Sequence, residues 1–280
     1  MRTLLMLALL AAATPAIAQP QRAWTAGLSG GVSRLGPDLD QSFAAATLTR
    51  RLGDGYVRAG ATLFGGDDGA GRLRTSAETR LFSLAAGYGF GAVTVELFGA
   101  IGDRSFDDVR LALPSGQTVT VGGDGDLWSF GGSAAMVVPL DRQWTLTPFL
   151  AVDRSALDVA RSPAGPRRRP SANPFVREER GTTGSAGIGI DRALGSGRSS
   201  IGAFAAFVTT SNAAAVTRVT GEAGQRLLEG QGFAESWAEA GAQAAIGVGA
   251  AATIDLMLVH TLGLAGGETL TGSAGLRIDF

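Results

Sequence analysis

The chain has 280 residues, 42 of them glycine, with no cysteine and a formal net charge of −1. A near-zero charge argues against a nucleic-acid partner, which demands a clustered basic surface, and the lack of cysteine excludes a disulfide framework. So much glycine without a collagen period is unusual in a soluble domain, but it suits strands that bend and pack closely around a barrel.

Residues Met1 to Ala18 carry Arg2, an apolar run from Leu4 to Ala13, and Ala16-Ile17-Ala18 as a small-x-small site. This is the pattern of a secretory signal peptide, and the mature domain is expected to run from 19 to 280. The apolar run is shorter than the roughly 20 residues that a helix needs to span a bilayer.

Beyond it, segments of alternating apolar and polar residues follow one another. In the first strand Trp24, Ala26, Leu28, Gly30 and Val32 share one face, and Thr25, Gly27, Ser29 and Ser33 the other. A Gly36-Pro37-Asp38 loop precedes a second strand near Gln41 to Arg51, the weakest in pattern, and Leu52-Gly53-Asp54-Gly55 makes a tight turn. In the third strand Val57, Ala59, Ala61 and Leu63 oppose Arg58, Gly60 and Thr62. The fourth presents Phe82, Leu84, Ala86 and Tyr88, turns at Gly89-Phe90-Gly91, and leads to a fifth with Val95, Leu97 and Ile101 opposed to Glu96.

Asp103 to Asp126 reads as a long polar connection, with a hairpin of its own around Pro114-Ser115-Gly116. A sixth strand, Leu127 to Leu140, carries Trp128, Phe130 and Met136 on one face. The seventh opens Trp144-Thr145-Leu146-Thr147-Pro148-Phe149, and Pro148, having no N–H, is expected at a rim or bulge. Ser155 to Thr182, with Pro166-Arg167-Arg168-Arg169-Pro170, reads as an exposed connection. Strands eight and nine flank Leu194-Gly195-Ser196-Gly197, and ten and eleven flank Gly247-Val248-Gly249. The last segment, Glu268 to Phe280, alternates Leu270, Gly272, Ala274, Leu276, Ile278 and Phe280 with Thr271, Ser273, Gly275, Arg277 and Asp279.

Twelve such segments, joined alternately by long and short connections, predict an all-β fold, a 12-stranded antiparallel transmembrane β-barrel. Aromatic residues at strand ends (Trp24, Tyr88, Trp128, Trp144, Phe280) fit interfacial girdles. A helical reading of Ala238 to Leu264 would bury Glu239, Gln243 and Asp255 in hydrocarbon, at several kcal/mol each. As two strands, the same residues turn to the lumen. Closure then requires the last strand to pair with the one containing Trp24 and Leu28.

Chemistry-bearing residues are sparse. His260 is the single histidine, and with Asp255 it could be argued into a rim enzyme, but the two residues have opposite parity and a site needs mutual geometry. Gly122-Gly123-Asp124-Gly125-Asp126 and the Asp67-Asp68 loop read as polar turns before calcium sites. No cofactor motif or metal-ligand pattern is present. Arg167 to Arg169 could meet lipopolysaccharide phosphates, since arginine binds phosphate bidentately, though a solvated loop explains them as well. Arg58, Glu96, Asp153, Asp191, Glu239, Asp255 and Arg277 carry both signs at lumen parity. They either line a water-filled channel or pair and close it.

The twelve strands, Leu146-Thr147-Pro148-Phe149 early in a middle strand, and the terminal aromatic Phe280 resemble the translocator β-domain of autotransporters. The resemblance implies insertion into the outer membrane of a Gram-negative bacterium by the barrel-assembly machinery, which reads the last strand and makes Phe280 an assembly signal. It also implies secretion of an upstream passenger, yet only Gln19 to Gln21 precede the first strand, which leaves no passenger in this chain. The expectation is therefore a monomeric, non-enzymatic barrel with a structural or transport role, passing small solutes or a polypeptide. A rim enzyme acting on lipid or peptide and a loop-mediated surface adhesin are the competing classes.

Overall fold

The computed structural model describes residues 23–35, 39–68, 75–112, 118–164, 175–195, 198–213, 217–218, 226–227, 234–265 and 267–280. The expected signal peptide, the Pro114-Ser115-Gly116 turn and the Arg167–Arg169 run lie outside them. Twelve long strands follow in order: β1 (Trp24–Leu35), β2 (Leu39–Leu52), β3 (Gly55–Asp68), β4 (Thr75–Phe90), β5 (Val93–Ala112), β6 (Thr118–Met136), β7 (Trp144–Ala164), β8 (Phe175–Leu194), β9 (Ser199–Thr210), β10 (Glu235–Val248), β11 (Ala252–Leu262) and β12 (Thr269–Asp279). Each pairs antiparallel with the next, and β12 pairs with β1, so the sheet is a closed ring. The seam has Leu28 opposite Leu276, both on the apolar face that the alternation assigns to them. Trp24 and Phe280 lock it at the rim by exchanging backbone hydrogen bonds of 3.0 and 2.9 Å.

Alternation sorts the side chains. Leu28, Phe82, Leu84, Leu97, Ile101 and Leu150 stand exposed on the outside, while their chain neighbours Ser29, Leu81, Glu96, Ala100, Phe149 and Ala151 are buried inside. Apolar area left in water costs about 25 cal/mol per Å², so an outer surface of this kind belongs in hydrocarbon. Among the described residues no helix is long and apolar enough to cross a membrane; Ala238 to Leu264 is β10 and β11.

Both ends of the barrel have aromatic residues on the outside. At the short-turn end the Arg50 guanidinium lies 5.2 Å over the Trp24 ring and that of Arg192 lies 5.5 Å over Trp144. In each case the two residues face each other across a strand pair, and the arginine stem covers the ring while its head reaches the polar edge. Trp128 stacks on Phe130 with centroids 5.6 Å apart.

The structure corrects the two long connections. Asp103 to Asp126 is the upper part of the β5–β6 hairpin, paired as far as Ala112 and Thr118 with one bulge between Phe106 and Val109. Gly122 to Asp126 is therefore extended strand, not a turn. Ser155 to Thr182 is likewise mostly ladder, from Ser155 opposite Gly181 to Arg161 opposite Phe175. Strands β5 to β8 have 20, 19, 21 and 20 residues, against 12, 14, 11, 11 and 12 for β9 to β12 and β1. Since about 9 to 11 residues cross the hydrocarbon, these four strands extend some eight to ten residues beyond the shortest ones, roughly 30 Å measured along the strand.

Pro148 lies five residues into β7, near the short-turn rim. The ladder to β6 is interrupted opposite it, between Ala135 and Val138, and resumes with the two-residue continuation Val138–Pro139. That break is what a missing N–H dictates.

Candidate functional site

The candidate site is the lumen. Seven charged residues stand on the inner face of the strands. Arg58, Glu96, Asp153 and Glu239 are buried, and Asp191, Asp255 and Arg277 are partly so. Six of them take part in bridges along the wall. Arg58 Nη2 donates to Glu96 Oε2 at 2.8 Å, and the Tyr56 hydroxyl donates to the same oxygen. Gln243 Nε2 donates to Asp191 Oδ1 at 2.6 Å, Arg277 Nη2 to Asp255 Oδ1 at 3.3 Å, and Trp237 Nε1 to Glu239 Oε1 at 3.0 Å. Asp153 sits at mid-height on β7, opposite Gly131 and Thr183. At the seam, Thr25 Oγ1 donates to Asp279 at 2.7 Å, and the hydroxyls of Ser33 and Thr271 meet at 2.9 Å.

Two of these bridges vault over a whole strand, and a glycine makes each possible. Gly87 on β4 faces Tyr56 on one side and Glu96 on the other; a Cβ there would land on the Tyr56 ring. Gly202 on β9 faces both Asp191 and Gln243, and its Cβ would fall 2.9 Å from the Asp191 carboxyl carbon.

The same device recurs with aromatic rings. Phe43 faces Gly31, Phe98 faces Gly131, Phe149 faces Gly187 and Phe204 faces Gly241. Each ring reaches over the glycine opposite it, into the space that a Cβ would occupy. With Tyr56 over Gly87, the five joints fall one in each of the pairs β1–β2, β3–β4, β5–β6, β7–β8 and β9–β10. Much of the glycine therefore has a place in the interior surface.

Sequence reasoning weighted the polar lumen and missed the apolar one. One buried cluster runs from Ala135 on β6 through Phe149 and Phe204 to Met257 and Val259 on β11, strands five apart in a ring of twelve. A second joins Phe43, Phe64, Leu81, Ala100 and Leu127, with Leu157 against it. Phe43 also explains the weak pattern of β2: both faces are apolar, because an aromatic points inward among Ala44, Ala46 and Leu48 pointing out. The missing signal was register, which alone shows an inward aromatic opposite an inward glycine.

His260 and Asp255 are not brought together. Asp255 faces the lumen with Arg277, whereas His260 is 42% exposed on the other face with Glu268 at 3.1 Å. Asp67 and Asp68 end β3, and no group of three or more potential metal ligands occurs among the described residues.

No protein-family model matches the chain, and no curated protein matches it. Solved structures do. The translocator domain of the autotransporter NalP from Neisseria meningitidis superposes with a TM-score of 0.69 at 14% identity, covering 94% of this chain and 90% of that one. The β-domain of the Bordetella autotransporter BrkA gives 0.60 at 17% identity, covering 92% and 99%. In fold, the chain is a closed twelve-stranded antiparallel barrel of the kind seen in autotransporter translocator β-domains.

Proposed function

We propose that this chain is a monomeric outer-membrane barrel with a transport role, whose bore is held shut at rest by its own inward side chains. The observation that carries the reading is the apolar cluster reaching from β6 to β11, with Val259 1% and Phe149 8% exposed. An open, water-filled bore would leave those rings wet at the area cost given above. Passage of a small solute or an extended polypeptide then requires the rings to move aside. Lipopolysaccharide and outer-membrane lipid are the partners of the apolar outer surface, and the barrel-assembly machinery is the partner of β12 and Phe280.

Conductance in planar bilayers tests this. The wild type is expected to show brief, rare openings, and Phe204→Ala steady ones. Steady conductance of the wild type, unchanged by Phe204→Ala, overturns the closed bore; silence in both overturns transport. The separation of His260 from Asp255 supports a non-enzymatic role, and His260→Ala is expected to leave conductance and yield unaltered.

A further inference from the structure

Two outward arginines at the short-turn end carry charge that the barrel itself does not use. Trp24 opens β1 and faces Arg50, third from the end of β2; Trp144 opens β7 and faces Arg192, third from the end of β8. The same rung is built twice, six strands apart in a ring of twelve, on opposite sides of the barrel. Each guanidinium lies over its indole, at 5.2 and 5.5 Å, a contact that positions the charge without neutralising it.

Four other arginines are neutralised by carboxylates. Arg58 and Arg277 meet Glu96 and Asp255 inside, and on the outer face Arg80 and Arg180 meet Glu78 and Glu178 at 2.7 and 3.6 Å. Among the described residues neither Arg50 nor Arg192 has a carboxylate within ion-pair distance. Arg192 donates one hydrogen bond, from Nη2 to Gln143 Oε1 at 3.3 Å. Asp141, in the adjoining turn, is taken by the N–H groups of Gln143 and Trp144. Both guanidiniums therefore keep N–H donors for an anion from outside.

Their depth says which anion. One rung toward mid-membrane the same strand pairs present Ala26 opposite Leu48 and Leu146 opposite Ile190, all apolar and outward; in the other direction β2 and β8 end within two residues. Each guanidinium stands where hydrocarbon gives way to water, at the level of lipid headgroups. Arginine grips phosphate through a planar fork of N–H groups. An ethanolamine headgroup would bring an ammonium beside an unpaired guanidinium, whereas a net-anionic headgroup brings none.

We propose that these two rungs are binding sites for the phosphate of an anionic glycerophospholipid, in the leaflet at the short-turn end. The proposal rests on the outer surface lying in a membrane and is independent of transport through the bore.

Native mass spectrometry of the folded chain, released from micelles with equal phosphatidylglycerol and phosphatidylethanolamine, tests it. The wild type is expected to retain two phosphatidylglycerol molecules, with a preference of about tenfold at each site. Arg50→Gln or Arg192→Gln should remove one, and the double variant should remove the preference. Arg180→Gln, whose guanidinium already has Glu178, should change nothing. Heat-modifiable mobility on gels checks that each variant is folded. A wild type without preference, or a double variant that keeps it, overturns the proposal. So does an Arg180→Gln loss equal to that of Arg192→Gln, which would mean that overall charge draws the lipid. Displacement by inorganic phosphate would make these sites for a free anion and overturn the lipid assignment. One measurement needs no variant: in bilayers, phosphatidylglycerol with brominated chains should quench tryptophan emission at about tenfold lower mole fraction than brominated phosphatidylethanolamine. Equal quenching counts against the sites.

Discussion

The two walls of the barrel obey different rules. From β9 through β12 to β1 the strands have 11 to 14 residues, little more than a membrane needs, and nearly every position is fixed by lipid on one side and lumen on the other. Strands β5 to β8 have 19 to 21 and continue upward as a sheet outside the hydrocarbon. There the outer face carries Asp103, Asp126, Asp158 and Glu178, directly opposite one another across three strand pairs. Like charges placed so are destabilising. Arg80, opposite Asp103, relieves one end of this row; the rest of the upper sheet is held by its backbone ladder, with the one bulge between Phe106 and Val109, and by Phe106 and Leu157 packed on the inner face.

The largest effect should come from filling a glycine over which a ring lies. Gly187→Leu would drive a side chain into both Phe149 and the Ala205 carbonyl, and is expected to abolish the heat-modifiable folded form on gels. Normal folding of that variant would show that the rings are not part of the barrel's framework. Next comes the buried ion pair. Glu96→Ala strands Arg58 in the wall and should cost about 3–5 kcal/mol in urea unfolding, whereas the Arg58→Ala, Glu96→Ala double variant should recover part of that loss. Equal losses in single and double variants would remove the pair from the account.

Shortening the tall wall sharpens the contrast further. Deleting 160–176 and joining Val159 to Arg177, which face each other, with a two-residue turn should leave the heat-modifiable folded form in place, because the strands remain longer than the roughly 9 to 11 residues that cross the hydrocarbon. Loss of assembly would mean that the upper sheet nucleates the lower. Any surface-binding activity should vanish in this deletion and survive Glu96→Ala.

The smallest effect lies in the β6–β7 turn. Asp141 accepts hydrogen bonds from the backbone N–H groups of Gln143 and Trp144 at 2.6 and 2.8 Å. These two bonds, the Gln143 one first, hold its carboxyl below the ordinary carboxylate range. A depressed value means that the turn gains stability above the unfolded pKa, about 3.9, and loses it as pH falls through the lower folded value. Nuclear magnetic resonance should show the Trp144 amide shifting with that low-pH titration, and Asp141→Asn should remove the transition. A titration at the ordinary value would contradict the turn geometry.

How much of this the sequence disclosed follows the same division. Alternation identified the strands of the short wall, the tight turns at Gly53 and Gly249, and the pairing of the last strand with the one containing Trp24 and Leu28, because lipid and lumen impose opposite chemistry on neighbouring residues. It failed at Asp103–Asp126 and Ser155–Thr182, where water bathes the outer face and charges replace apolar residues. The inward charges were legible at Arg58 and Glu96 from parity alone. That Tyr56 would join them over Gly87, or that Phe204 would lie on Gly241, depends on which residues face each other across strands, information that periodicity along one strand does not contain.

The bonds between Trp24 and Phe280 have a topological consequence. Because the first and last strands meet at one rim in register, the barrel is a ring with no privileged first strand. In a variant that starts at Trp24, a turn of a few residues from Phe280 to Trp24 would make the barrel circular, and cutting it in any long connection would give a permuted protein with every ladder intact. Which strand is made last could then be chosen at will, and whether assembly needs Phe280 as a terminus or only β12 as a strand would become separable questions.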